Sequence, residues 1–166
     1  MRLPFALLNV LALTHAASAQ ETVNPETYVR AEVDMTFAQF QTNAGSDVNR
    51  FYYIRTPTPL DAQAVVRMNR DTLYAGAVID TEDGATITIP EFPDDRYFSI
   101  LVIDNDHYAP VVFYEPGTYD IPADTKYVSL IMRIQIMDPS HPNDVALVNR
   151  MQNEFVIDAA SHDLFP

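Results

Sequence analysis

The chain has 166 residues, with 10 basic and 23 acidic side chains, a formal net charge of −13 and no cysteine. That composition excludes disulfides, thiolate nucleophiles and sulfur-ligated metals, and its negative field repels nucleic acid phosphates and anionic lipid surfaces. The length suits one domain with a full apolar core.

The first nineteen residues read as an export signal. Met1-Arg2 is a short positive start. Leu3 to Leu13 is apolar apart from Pro4 and Asn9, and Ala17-x-Ala19 is the small-residue pattern that a signal peptidase cuts. The apolar run is shorter than the roughly 20 residues a bilayer span requires. Gln20 would follow the cut, which argues against a lipoprotein. The expectation is a periplasmic or secreted mature domain, residues 20–166, with no membrane insertion after cleavage.

Asn24-Pro25-Glu26 has the signals of a helix start. Val29, Val33, Phe37 and Phe40 then make one apolar stripe, and Gly45 supplies a stop. Residues 46–64 look irregular, with Thr56-Pro57-Thr58-Pro59 unsuited to a central strand. From there the period becomes two. Strands are expected at Val65–Met68, Thr72–Ile79, Ala85–Ile89, Arg96–Ile103 and Val111–Tyr114, with a turn at Glu115–Thr118. Lys126–Met137 alternates most cleanly: Val128, Leu130, Met132, Ile134 and Ile136 share one face, and Ile131 sits with Ser129, Arg133 and Gln135 on the other. Pro139–Asn143 leads into a last helix with Val145, Val148, Gln152 and Phe155 on its stripe. Strands without helical crossovers predict a mainly β fold, an antiparallel sandwich with an N-terminal and a C-terminal flanking helix.

Asn69-Arg70-Asp71-Thr72-Leu73-Tyr74 resembles an Asn-x-Asp-Thr-x-Tyr element of the domain of unknown function 1254 family. Ile87-Thr88-Ile89-Pro90, then Arg96-Tyr97, then Ile100–Asp104 follow in that family's order, and Arg133-Ile134-Gln135 and Gln152 also resemble its positions. The resemblance spans roughly residues 25–157. It implies an immunoglobulin-like β-sandwich and no established activity. Many members of that family carry a second domain, of the family numbered 1214; a chain ending at Pro166 reads as a short form without it.

Two clusters could carry chemistry. Asn69, Asp71, Tyr74, Arg96 and Asp104 are candidate ligand-binding residues. Asp71 as general base, Arg96 or Arg133 as anion clamp and Tyr74 or Tyr97 as donor form the candidate catalytic set. The same groups also suit a structural role, as arginine–carboxylate pairs that set strand register. Asp104-Asn105-Asp106-His107 offers oxygen and imidazole atoms to a metal, but strand alternation separates His107 from Asp104 and Asp106, so no metal site and no cofactor is expected. None of the serines lies in a Gly-x-Ser-x-Gly elbow, and no phosphate-cradling loop is present.

These readings favour a non-catalytic binding module for a small molecule or an exported protein partner, with self-association a further option. The alternative is an enzyme acting on a small acidic substrate through Asp71 with Arg96 and Arg133. Neither nucleic acid nor a membrane is expected as a partner.

Overall fold

The computed structural model describes residues 23–63, 66–93, 96–122 and 124–166. The expected leader lies outside these residues. Among the described residues there are two helices and eight strands: α1 (Tyr28–Asn43), β1 (Tyr52–Tyr53), β2 (Thr72–Asp80), β3 (Ala85–Ile89), β4 (Phe98–Asp104), β5 (Val111–Phe113), β6 (Gly117–Asp120), β7 (Tyr127–Gln135), α2 (Pro142–Gln152) and β8 (Val156–Ala159). The strands form a five-stranded sheet, β1-β2-β7-β4-β5, and a three-stranded sheet, β6-β3-β8, with every pairing antiparallel.

The alternation read in the sequence places the core. Val128, Leu130, Met132 and Ile134 of β7 are fully buried, as are Ile100 and Val102 of β4 and Leu73 and Ala77 of β2. They pack against Ile87 and Ile89 of β3 and Phe155 beyond α2, so the two sheets share one apolar core. Each such aliphatic side chain stabilises the fold by roughly 2 kcal/mol. β2 is buried along almost its full length because both of its faces are covered. Leu73, Ala75, Ala77 and Ile79 face the shared core, while Val78 joins a second cluster with Val33 and Phe37 of α1.

Several expectations change. Among the described residues of the Val65–Met68 segment there is no strand: Val66 and Arg67 form a turn, Arg67 at a φ of 60° and Val66 almost fully exposed. The Asn69 side chain accepts from the Asp71 amide at 2.6 Å, so the local bond wins over a ladder partner. The Glu115–Thr118 turn runs into β6, which opens at Gly117 with a φ of 144° and pairs with β3. α2 is not the last element, because Val156–Ala159 adds a strand to the other side of β3. Four residues are too few for their period to be read, yet Ile157 and Ala159 pack against the core from the free edge of β3. Asn24 caps a turn rather than the helix itself, its carboxamide oxygen accepting from the Glu26 and Thr27 amides. Val29 of the expected apolar stripe is half exposed, while Val33 and Phe37 are buried.

A half-covered sheet face as candidate functional site

The outer face of the five-stranded sheet is built by strand register. Tyr74, Arg133 and Ser99 stand in one row across β2, β7 and β4. Gly76, Ile131, Leu101 and Val112 form the next row, and Val78, Ser129 and Ile103 the one after. α1 packs over the β2 side of this face, and its first turns reach Asn105 and Asp106 beyond β4. Val33 and Phe37 pack on Val78 and Tyr127, and Phe40 meets the Tyr52 ring edge-on with centroids 5.1 Å apart. Glycine is needed under that ring, since a Cβ at Gly76 would lie 2.5 Å from it.

Three fastenings hold α1 in this position. Arg30 pairs with Asp34 and Asp106 at 2.9 and 3.0 Å, and Asn105, almost fully buried, donates to Asp34 at 2.7 Å. The second fastening is the Val33–Phe37 stripe. The third is the C-terminal tail: the Gln41 side chain donates to the Phe165 carbonyl and accepts from its amide, at 3.0 and 2.8 Å. The Phe165 ring then packs edge-on against Phe37 and Tyr127.

Between α1 and the uncovered strands lies a groove of about 370 Å³, in the lower part of the range typical of small-molecule sites. Its floor is Ile103, Ser129 and Ile131. Val29, Glu32 and Thr36 of α1 form one wall, and His107 closes one end. His107 has a φ of 70°. Asp104 imposes this turn, because its buried carboxylate accepts from the Asp106 and Tyr108 amides at 3.0 and 2.8 Å. Past Ile131 the face continues to Arg133, whose guanidinium stands 5.4 Å from the Tyr74 ring centroid. Tyr97, whose carbonyl accepts from the Gln135 amide, and Tyr114 are each about half exposed, with ring centroids 6.3 Å apart.

The candidate residues of the sequence thus divide. Tyr74, Tyr97 and Arg133 share the outer face. Arg96 does not join them: it is buried, donates to the Gln135 carbonyl at 2.8 Å and pairs with Asp144 of α2 at 2.7 Å. The arginine–carboxylate network exists, but its acid is Asp144, which also accepts from the Met137 and Asp138 amides. The Arg96 guanidinium, opposed in part by burial, holds the Asp144 pKa below the ordinary carboxylate value. Asn69 and Asp71 are exposed at the turn before β2, and among the described residues Asp71 has no cation within salt-bridge distance. Asp104, Asp106 and His107 do not converge, and among the described residues no group of three or more His, Asp or Glu could hold a metal.

The sequence reading passed over Leu101, Ile103, Ile131 and Tyr114. The signal available was Ile131, an apolar residue on the otherwise polar side of β7. Arg55 and Gln152 were also missed as a pair. Arg55 donates to the Asn149 carbonyl and to Gln152, both at 2.9 Å, and lies 3.8 Å over the Tyr53 ring. Fully buried Gln152 in turn donates to the Tyr74 carbonyl at 3.0 Å, which ties α2 to β2 beneath the site.

Residues 48–111 match the family described as Protein of unknown function (DUF1254). No curated protein matches the chain. Among solved structures, the VPA0106 protein from Vibrio parahaemolyticus is similar, with a TM-score of 0.62 at 17% identity over 81% of this chain. The chain spans 36% of the length of that structure. At this identity the likeness is one of fold.

Proposed function

We propose, from the match of residues 48–111 to a family without assigned activity, that this is an exported, immunoglobulin-like binding module whose ligand site is the outer face of the five-stranded sheet. One observation carries the reading: α1 covers half of that face and leaves a groove of about 370 Å³ floored by half-buried aliphatic side chains. Exposed apolar surface beside aromatic side chains is costly to leave in water unless something covers it. The leader pattern ending at Ala19 supports export.

Catalysis has less support. Arg96 is committed to Asp144 and the Gln135 carbonyl, and Asp71 lies at an exposed turn with no cation in salt-bridge distance among the described residues.

A thermal-shift screen of small amphipathic molecules tests the binding reading. Hits should stabilise the wild-type protein and fail with Thr36→Trp, which fills the groove from an exposed helix position without touching the core. Hits that bind both proteins equally would place the ligand elsewhere and overturn the reading.

A further inference from the structure

We infer that the outer face takes a carboxylate bearing an apolar chain, its head held by Arg133 and its chain lying in the groove beneath α1. This rests on the reading of that face as a ligand site and names the ligand's chemistry. Ile131 is shared by the two halves of the argument. It floors the groove, and Arg133 follows two residues later on the same side of β7, about 7 Å away. Apolar floor and cation therefore lie on one continuous strip. Among the described residues, Arg133 is the one cation on the strands' outer face, and it makes no salt bridge. Arg133 is exposed, its row neighbour Ser99 is small, and the Tyr74 ring centroid lies 5.4 Å from the guanidinium. A planar guanidinium backed by an aromatic ring suits a two-oxygen acceptor.

The −13 field of the chain disfavours any anion at a distance. Selectivity for a carboxylate would therefore have to come from the local contact at Arg133. A ligand held by the groove alone would prefer a neutral or cationic head.

The test compares octanoate, octan-1-ol and octylammonium, by calorimetry, on the wild-type protein, Arg133→Gln and Thr36→Trp. Octanoate is expected to bind wild type about tenfold tighter than octan-1-ol. Arg133→Gln should remove that preference and leave octan-1-ol binding unchanged, and Thr36→Trp should weaken both. If octan-1-ol or octylammonium binds as tightly as octanoate and Thr36→Trp abolishes it, the carboxylate inference fails while the binding module stands. If octanoate preference survives Arg133→Gln, the inference also fails. If none of the three binds, both the inference and the groove as a ligand site fall.

Discussion

Asp80 ties the C-terminal tail to the turn after β2 through one carboxylate. It is fully buried at the end of β2, where it accepts from the Ser161 hydroxyl, the Asp163 amide at 2.8 Å and the Glu82 amide at 3.2 Å. Burial pushes its pKa up, but the Ser161 hydroxyl, the two amides and the nearby Lys126 charge outweigh burial and hold it below the ordinary value. Asp144 is depressed as well, chiefly by Arg96. A carboxylate whose folded pKa lies below its unfolded value, near 3.9, stabilises the fold fully above that value. The contribution disappears as pH falls through the folded pKa. Stability measured by urea unfolding should therefore drop below about pH 4, and Asp80→Asn should flatten that drop while costing about 2 kcal/mol at pH 7. Asp144→Ala strands the buried Arg96 guanidinium and should cost about 3–5 kcal/mol, whereas the double variant Asp144→Leu with Arg96→Met should cost less. An additive double variant would show that the pair is not coupled.

At the scale of elements, α1 matters because it makes the groove. The helix depends on tertiary contacts more than on its own signals, since only Val33 and Phe37 of it are buried and its N-cap Thr27 makes no side-chain capping bond. Phe37→Ala should lower stability by about 3–4 kcal/mol and abolish groove binding together. Phe165→Ala acts on the same contact from the tail and should weaken the same binding, although Phe165 lines no part of that groove. Retained binding in both variants would separate the site from the helix. β8 presents the converse case. Its ladder to β3 is short, and its alternation, Ile157 and Ala159 against the core and Val156 half exposed, spans too few residues to be read apart from the open strand edge it joins. Gly76 is a third element-level constraint. Gly76→Ala drives the Tyr52 ring away from β2, and the expected result is loss of β1 pairing and of the Phe40–Tyr52 contact, read as weaker amide protection at Tyr52 and Tyr53.

For the whole molecule, charge opposes the ligand that the outer face fits. The long-range field is screened within about 10 Å at 0.1 M salt, while the contact at Arg133 is shorter than that. The association rate of octanoate should rise with ionic strength, the reverse of electrostatic steering. A rate that falls with salt would mean that local positive potential dominates. Much of the architecture was legible in the chain. Strict alternation in β7 identified its buried face because burial on one side of a strand selects every second residue, and the same logic held for β3, whereas β4, apolar on both sides, read as a central strand and lies between β7 and β5. The two helices were visible from their apolar stripes and, for α2, from Pro142 at its start, although the cap expected at Asn24 belongs to the turn before α1. The short strands β1, β6 and β8 were not: β1 has two residues, and Gly117–Asp120 and Val156–Ala159 lack the unbroken apolar run that marked β5. The site was legible only in part. Tyr74, Tyr97 and Arg133 stood out as polar or aromatic residues on strands, but Arg96 looked equivalent to Arg133 until α2 brought Asp144 against it. Local sequence by itself determined strand phase, the mainly β composition and the sign of the molecular field, because each depends on neighbours in the chain. Which arginine is sealed and which stands open, and that a helix covers only half of one sheet, were decided by tertiary structure, because pairings between residues tens of positions apart leave no trace in local pattern.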